Sequence, residues 1–389
     1  KEIIDELNKN KTRVKEPELD VLLRKYNKKN IFFTNSIQEL EGCEIIYISL
    51  DVPTDSVGNS MLDQIYSLVQ RITNIANKNS IIVILCQVPP GFTRAIDWPK
   101  SKLYYQVETL IFGDAINRAM NPERFIIGKF DGKDLIDQRF KSFLNSFNCP
   151  IIEMKYESAE LSKISINTYL ISSISATNLL ANLAEEVDAD WNEIVPSLKL
   201  DKRIGKYSYL KPGLGFSGGN LERDLETIIK LSKKYDLNSS LINEYINNSK
   251  INKNWALERF LKLSPTIKNI AISILGLSYK ENTDSIKNSP SLLLINQLLD
   301  LGFDNIKAYD PKAADHEVFS KITRVNEMKE ALTYTQVLFI MTPWNEFFEI
   351  SLDQIKSFMK GNVIIDPYGI LRELSLEKEG YKYLIKGRK

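Results

Sequence analysis

The densest chemistry-bearing stretch of the chain runs from Tyr209 to Asp224, Y-L-K-P-G-L-G-F-S-G-G-N-L-E-R-D. Four glycines, Gly213, Gly215, Gly218 and Gly219, fall within seven residues. Glycine permits positive φ and close backbone approach, so such a run builds a shaped loop. A helical pattern follows from Leu221 to Tyr235, with Asn220 expected as its N-cap. The loop would deliver backbone N–H groups near a helix N-terminus, a good place for an anion or a reacting oxygen. The same spacing fits a turn that only caps a helix. A second candidate pair, Lys163 and Asn167, stands at i and i+4 and so shares one helix face. Alone, it equally fits a solvated lysine beside a polar neighbour.

Composition narrows the chemistry. The 51 basic and 50 acidic residues nearly cancel, which leaves no electrostatic footprint for nucleic acid. The three cysteines, Cys43, Cys86 and Cys149, are scattered, with neither a disulfide framework nor a zinc spacing. Cys86 reads as core. The one histidine, His316, sits between charged residues and reads as surface. Proton transfer therefore falls to Lys, Asp, Glu or bound water, and no metal site is expected. Without a long apolar run or a signal peptide, no membrane association and a cytoplasmic location are expected. Lys1 falls directly into a helical pattern (Ile3, Ile4, Leu7), which suggests a fragment lacking its first element.

Around these residues the elements read as α/β. Cys43–Leu50 and Ser80–Cys86 read as buried strands, Leu62–Ala76 as an amphipathic helix. Phe125–Ile127 and Ile151–Met154 are shorter strands, with a helix over Lys133–Phe147 between them. This alternation predicts a parallel sheet with helices on both faces, whose ligands sit at the carboxyl ends of the strands. Glu157 to Asp188 has no Gly or Pro and reads as one long helix, with Ser172, Ser173, Ser175 and Ala176 in its middle. After a linker near Ser264-Pro265, strands at Lys268–Leu275, Ile306–Tyr309, Val337–Met341 and Val363–Ile365, and a helix from Pro290 to Leu301, form a second α/β unit. The plan is two Rossmann-like doubly wound domains joined by a long central helix and a helical middle domain: residues 1–155, 156–263 and 264–389.

Ordered motifs over essentially the whole chain resemble the UDP-glucose/GDP-mannose dehydrogenase family. Lys15-Glu16-Pro17-Glu18-Leu19-Asp20 resembles E-P-G-L-D, and Val52-Pro53-Thr54 resembles V-P-T-P. Asn121-Pro122-Glu123-Arg124 to Gly128 resembles N-P-x-R-x-x-x-G. Ser158 to Asn167 is similar to S-A-E-L-x-K-x-x-x-N. Arg203-Ile204-Gly205 and Pro212 to Asp224 resemble R-I-G and P-G-x-G-x-G-G-S-C-x-x-K-D. Leu275 to Pro290 resembles L-G-x-x-F-K-x-x-T-D-D-x-R-x-S-P.

The resemblance implies an NAD-dependent oxidoreductase acting on a nucleotide sugar, most simply as a homodimer. It implies two oxidations: the hexose primary hydroxyl to an aldehyde, then a cysteine adduct of that aldehyde to the acid. Lys163 and Asn167 would stabilise the alkoxide, Asp224 would relay protons or orient Lys163, and Glu108 would stand near the site. Val52, Pro53, Thr54, Gln87 and Lys287 would face the cofactor. Tyr209, Leu210, Gly215, Phe216, Gly219, Tyr279 and Lys280 would bind the substrate, with Arg203 reaching the sugar across a dimer interface. The family's first strand and its G-x-G-x-x-G turn are expected to precede Lys1.

The departures are specific. The nucleophilic cysteine falls at Asn220, which cannot form a thiohemiacetal. The second glutamate falls at Phe112, the loop threonine at Gln87, the lysine of S-C-x-x-K-D at Arg223 and the arginine of D-x-R-x-S-P at Lys287. The late D-G-R segment falls on Asp366-Pro367-Tyr368. The expected activity is thus oxidation of the primary hydroxyl with the thiol-dependent step lost or altered. The alternative is a non-catalytic nucleotide-sugar-binding paralogue that regulates or pairs with an active dehydrogenase.

Overall fold

The computed structural model describes residues 2–14, 16–52, 61–111, 113–263 and 269–389, and the chain divides into two compact units, Lys1–Asn167 and Thr168–Lys389. Pro53, Thr54, Phe112, Lys268 and the linker at Ser264-Pro265 lie outside the described residues.

The first unit carries α1 (Glu2–Asn8), α2 (Leu19–Tyr26), β1 (Ile45–Ile48), α3 (Asp63–Ile75), β2 (Ile81–Ile84), β3 (Leu103–Gln106), α4 (Ala115–Met120), β4 (Phe125–Lys129), α5 (Gln138–Asn145) and β5 (Ile151–Lys155). The sheet order is β1-β2-β3-β4-β5. Every residue of β2 is buried, as expected for a central strand covered on both faces. On α3, Ile65, Val69 and Ile72 repeat at helical spacing and enter the core below β1 and β2. The expected parallel sheet is in fact mixed. β1, β2 and β3 are parallel, but β4 runs antiparallel to β3, with Tyr105 opposite Gly128, and β5 follows β4 in parallel. β3 itself is a strand that apolar runs do not flag. The helix expected from Lys133 begins only at Gln138, because the Asp137 carboxylate caps it by accepting from the Arg139 N–H at 2.9 Å.

α6 (Tyr156–Glu186) leaves β5 without a loop. Its first turns lie along β3. The Tyr156 hydroxyl donates to the Leu103 carbonyl at 2.7 Å, and Ala159 sits over Gly128, where an added Cβ would come within 2.9 Å of the Ala159 Cβ. The close approach explains why glycine stands in β4.

The second unit continues α6 into α7 (Trp191–Leu200), α8 (Asn220–Lys234), α9 (Ser240–Lys253) and α10 (Trp255–Lys262). β6 (Ile272–Leu275), α11 (Pro290–Asp300), β7 (Ile306–Tyr309), β8 (Thr323–Arg324), α12 (Met328–Leu332), β9 (Val337–Ile340), α13 (Leu352–Phe358), β10 (Val363–Asp366) and β11 (Lys382–Ile385) complete it. Its sheet is parallel throughout, in the order β11-β10-β9-β6-β7-β8. Chain order reverses direction between β6 and β9, the switch point of a doubly wound sheet. Ser289 caps α11 by accepting from the Ser291 N–H, with Pro290 opening the helix.

The residues after β11 bind back to the helices. The Trp191 N–H donates to the Gly387 carbonyl at 2.8 Å, and the Gly387 N–H donates to Glu185 Oε1 at 2.9 Å. Lys386, 1% exposed, donates to the side-chain carbonyls of Asn182 at 2.9 Å and Asn252 at 2.6 Å. Glu185 also accepts from the Trp255 indole at 3.0 Å and from Arg259.

Candidate functional site

In the first unit, β1, β2 and β3 end at one edge of the sheet, where ligands of parallel strands bind. Val52 follows β1, Gln87 follows β2 and Glu108 follows β3. Lys163 reaches this edge from α6. Its Nζ donates to the Glu108 carbonyl at 2.6 Å and lies 3.8 Å from Glu108 Oε2. The lysine side chain is only 14% exposed, so it is not a solvated surface residue. Asn167, one turn further along the same face, is buried.

Two loops at that edge are tied down by carboxylates that sequence patterns do not single out. Glu16 accepts from the Gly113 N–H at 2.8 Å and the Ala115 N–H at 3.3 Å, fixing the end of the segment that follows Glu108. Glu160, wholly buried, accepts from the Gly91 N–H at 2.6 Å and the Thr93 N–H at 2.8 Å. Burial pushes the Glu160 carboxyl above its ordinary range, against the opposing hydrogen bonds from Thr93 and Gly91. Arg94 closes the same loop by pairing with Glu157.

In the second unit, the glycine loop is fixed residue by residue. Thr177 donates to the Tyr209 carbonyl at 2.9 Å, and the Trp191 indole to the Leu210 carbonyl at 2.8 Å. Gly215 has φ 75° and would place a Cβ 2.6 Å from Ser249 Oγ, so only glycine fits. Phe216 is buried with Ile171, Leu225 and Ile242 and anchors the loop. A Cβ on Gly218 would lie 3.3 Å from the Tyr279 ring, and one on Gly219 would lie 2.8 Å from Lys287 Nζ. The loop thus meets the Tyr279–Lys287 segment, and Lys280 stands beside Tyr279 with its Nζ 5.9 Å from that ring.

Asn220 is the first residue of α8 rather than its N-cap; Gly219 takes that place without a side-chain cap. The carboxamide is used otherwise, accepting from Arg223 Nη2 at 3.1 Å. Arg223 and Asp224 are buried beneath it. Arg203 is not brought to this loop: its side chain is 89% exposed and pairs with Asp201. Tyr368 packs on the loop, its ring 3.4 Å from where a Gly213 Cβ would stand. The nearby Arg372 pairs with Asp190, which caps α7. A cavity of about 540 Å³ opens beside Tyr209–Pro212, lined also by Lys199, Tyr207, Tyr368 and Lys386 and by no carboxylate among the described residues.

The chain has three cysteines, Cys43, Cys86 and Cys149. All three belong to the first unit. Cys86 is buried with its Sγ 3.2 Å from the Ile48 carbonyl, and burial pushes its thiol up to about 11. His316 is exposed and its Nδ1 accepts from the Val318 N–H at 3.2 Å. Among the described residues no group of three or more His, Cys, Asp or Glu could hold a metal ion, and no helix is long and apolar enough to cross a membrane.

Two α/β sheets, with a lysine at one strand edge and a glycine loop opening a helix, define an architecture of the doubly wound, nucleotide-binding type. Three domain models of the UDP-glucose/GDP-mannose dehydrogenase family match in order: the NAD binding domain over residues 1–148, the central domain over 157–253 and the UDP binding domain over 273–373. The UDP-glucose 6-dehydrogenase TuaD of Bacillus subtilis is 30% identical over 371 residues, covering 92% of this chain and 79% of that protein. The UDP-glucose 6-dehydrogenase of Rickettsia bellii is 28% identical, covering 99% of this chain and 92% of that protein. The chain belongs to the UDP-glucose/GDP-mannose dehydrogenase family. Its fold matches a UDP-glucose dehydrogenase of Pyrobaculum islandicum, with TM-score 0.85 at 21% identity over 100% of this chain and 90% of that one. A UDP-D-ManNAc dehydrogenase of Pyrococcus horikoshii follows, with TM-score 0.84 at 20% identity over 100% and 91%.

NAD is the cofactor of this chain. The first unit's strand edge fits a dinucleotide: Gly91 stands there at φ 95°, and among the described residues nothing lies within 4 Å of where its Cβ would be. Bound there, NAD supplies the hydride acceptor.

Proposed function

We propose that the protein oxidises the primary hydroxyl of a nucleotide-linked hexose to the aldehyde, and that it lacks the thiol-dependent second oxidation. The observation that carries this reading is Lys163, held nearly buried at the cofactor edge by the Glu108 carbonyl, while an amide rather than a thiol opens α8. Lys163 would stabilise the forming alkoxide with Asn167, and Asp224 would hold or relay the proton. The cavity beside Tyr209–Pro212, lined by lysines and tyrosines and by no acid among the described residues, suits the anionic nucleotide end of the substrate. Val52, Gln87 and Lys287 are assigned to the cofactor side, Tyr279 and Lys280 to the nucleotide. Arg203, exposed in one chain, would serve the site of a second copy. A homodimer fits α6 and α9, where Ser172, Ser173 and Ala176 line a groove with Tyr245 and Ile251, and Leu179 and Leu183 are exposed.

The test is NADH formation against a panel of UDP- and GDP-hexoses, with Asn220→Cys alongside. One NADH per sugar, rising to two in the variant, is the expected result. Two per sugar without the substitution would refute the single oxidation. Nucleotide-sugar binding with no NADH from any sugar would favour the non-catalytic paralogue, which the loss of the cysteine also suits.

A further inference from the structure

The loop after β2 contains Pro89 and Pro90, which have no N–H to give. The Phe92 N–H is used by the Pro89 carbonyl at 3.2 Å. Between Pro89 and Thr93 that leaves the Gly91 and Thr93 N–H groups, and a single carboxylate, Glu160, takes both, at 2.6 and 2.8 Å. Glu160 lies one helical turn before Lys163 on α6, and Lys163 in turn grips the Glu108 carbonyl after β3. One rigid helix therefore holds the ends of two adjacent strands through two neighbouring side chains of opposite charge. Gln87 stands in the same loop, three residues after β2.

A hydrophobic side chain could fill the space under this loop without fixing its height above the sheet. A buried carboxylate with two charge-assisted N–H bonds fixes both distance and direction. The burial pattern agrees: Glu160 is wholly buried while its neighbour Leu161 is 46% exposed, the reverse of what packing alone would choose.

We infer that Glu160 is a positioning residue for the oxidation: through Gly91 and Thr93 it sets the loop carrying Gln87 in register with the Lys163 ammonium. This rests on the oxidoreductase reading above. A Glu160→Gln change keeps the shape, but its NH2 group would face one of the two N–H donors, so one bond becomes a donor–donor contact.

The experiment compares the parent protein with Glu160→Gln by peptide-resolved amide exchange, NADH binding and steady-state oxidation of UDP-glucose. We expect exchange over residues 86–94 to quicken by roughly tenfold or more while β2 and β3 keep their protection. NADH affinity and kcat should each fall by roughly tenfold, and KM for UDP-glucose should stay within about threefold, since a lost position costs turnover rather than uniform binding. Equal kcat and NADH affinity in the two proteins would overturn the inference, even with a loosened loop. So would a matching rise of exchange in β2, which would make Glu160 a core residue only. If the parent makes no NADH from any nucleotide sugar, the proposed oxidation fails by itself. NADH affinity still decides the role of Glu160: a tenfold loss in the variant upholds its hold on the cofactor edge, and no loss refutes it.

Discussion

Replacing Glu185 by Gln gives the sharpest stability test in the second unit. The carboxylate is 5% exposed and serves three donors: the Trp255 indole, the Gly387 N–H and Arg259. It is also the main charge that favours a protonated Lys386, whose ammonium lies 5.3 Å from the Trp255 ring centre. Gln keeps the volume but removes the charge, so Arg259 and Lys386 lose their nearest anion and Arg259 keeps only the exposed Glu186 at 3.8 Å. Removing one partner of a buried ion pair costs about 3–5 kcal/mol; the Arg259 side chain retains some solvent, so about 3 kcal/mol is expected. In a unit of this size that lowers the midpoint by roughly 6–12 °C. Three of the four tryptophans, Trp191, Trp255 and Trp344, lie in this unit and Trp98 in the first, so tryptophan fluorescence during denaturation follows mainly the second unit. Lys386 adds a pH signature. Burial, the dominant cause, pushes it down to about 7 from an ordinary 10.5. Because the folded value is the lower one, the unfolded chain binds the extra proton between the two, and stability rises with pH from about 7 towards 10.5, by at most about 1.4 kcal/mol per unit. In Glu185→Gln the rise should start at lower pH. A loss under about 0.5 kcal/mol, or an unmoved pH window, would refute the reasoning.

Other outcomes follow from the same contacts. Lys163→Met should lower kcat by roughly 10²–10³ with little change in midpoint, checked by NADH formation and thermal denaturation. Gly128→Ala should destabilise the first unit by about 1–3 kcal/mol, because the new Cβ meets Ala159 at 2.9 Å, and urea denaturation would read it. Alkylation at pH 8 should leave Cys86 unmodified, since its thiol lies at about 11 and is buried; NADH formation should be indifferent to the reagent, and peptide mapping identifies the labelled sites.

Much of the framework was readable before any coordinates. β2, β6, β9 and β10 are short, largely apolar runs between turn residues, β7 alternates buried and half-buried positions, and α6 is a long stretch without Gly or Pro. β3 escaped because Leu103–Gln106 follows a short turn and reads as neither alternating nor wholly apolar. Its antiparallel pairing with β4 escaped because direction is set by the connection, not by the strand's composition. Lys163 and Asn167 were visible as a pair on one face, but burial of the lysine depends on the Glu108 carbonyl, a backbone atom that leaves no trace in side-chain spacing. Glu16 and Glu160 fall inside longer motifs, where nothing in the spacing marks their part. A carboxylate that serves backbone N–H groups looks like any surface acid until the helix phase is known. At Asn220 the glycine run marked the helix start correctly, yet the cap moved one residue to Gly219 because the carboxamide turns to Arg223.

The tie between the segment after β11 and the turns around Glu185 and Trp191 joins residues some 200 apart in sequence. During synthesis, α6, α7 and α10 emerge long before Lys386 and Gly387, so Glu185 and Arg259 must wait with an unfinished polar cluster. The second unit therefore completes this cluster only when a segment far along the chain folds back on its helices, and a chain cut before Lys386 would keep β6 to β11 but lose the seal.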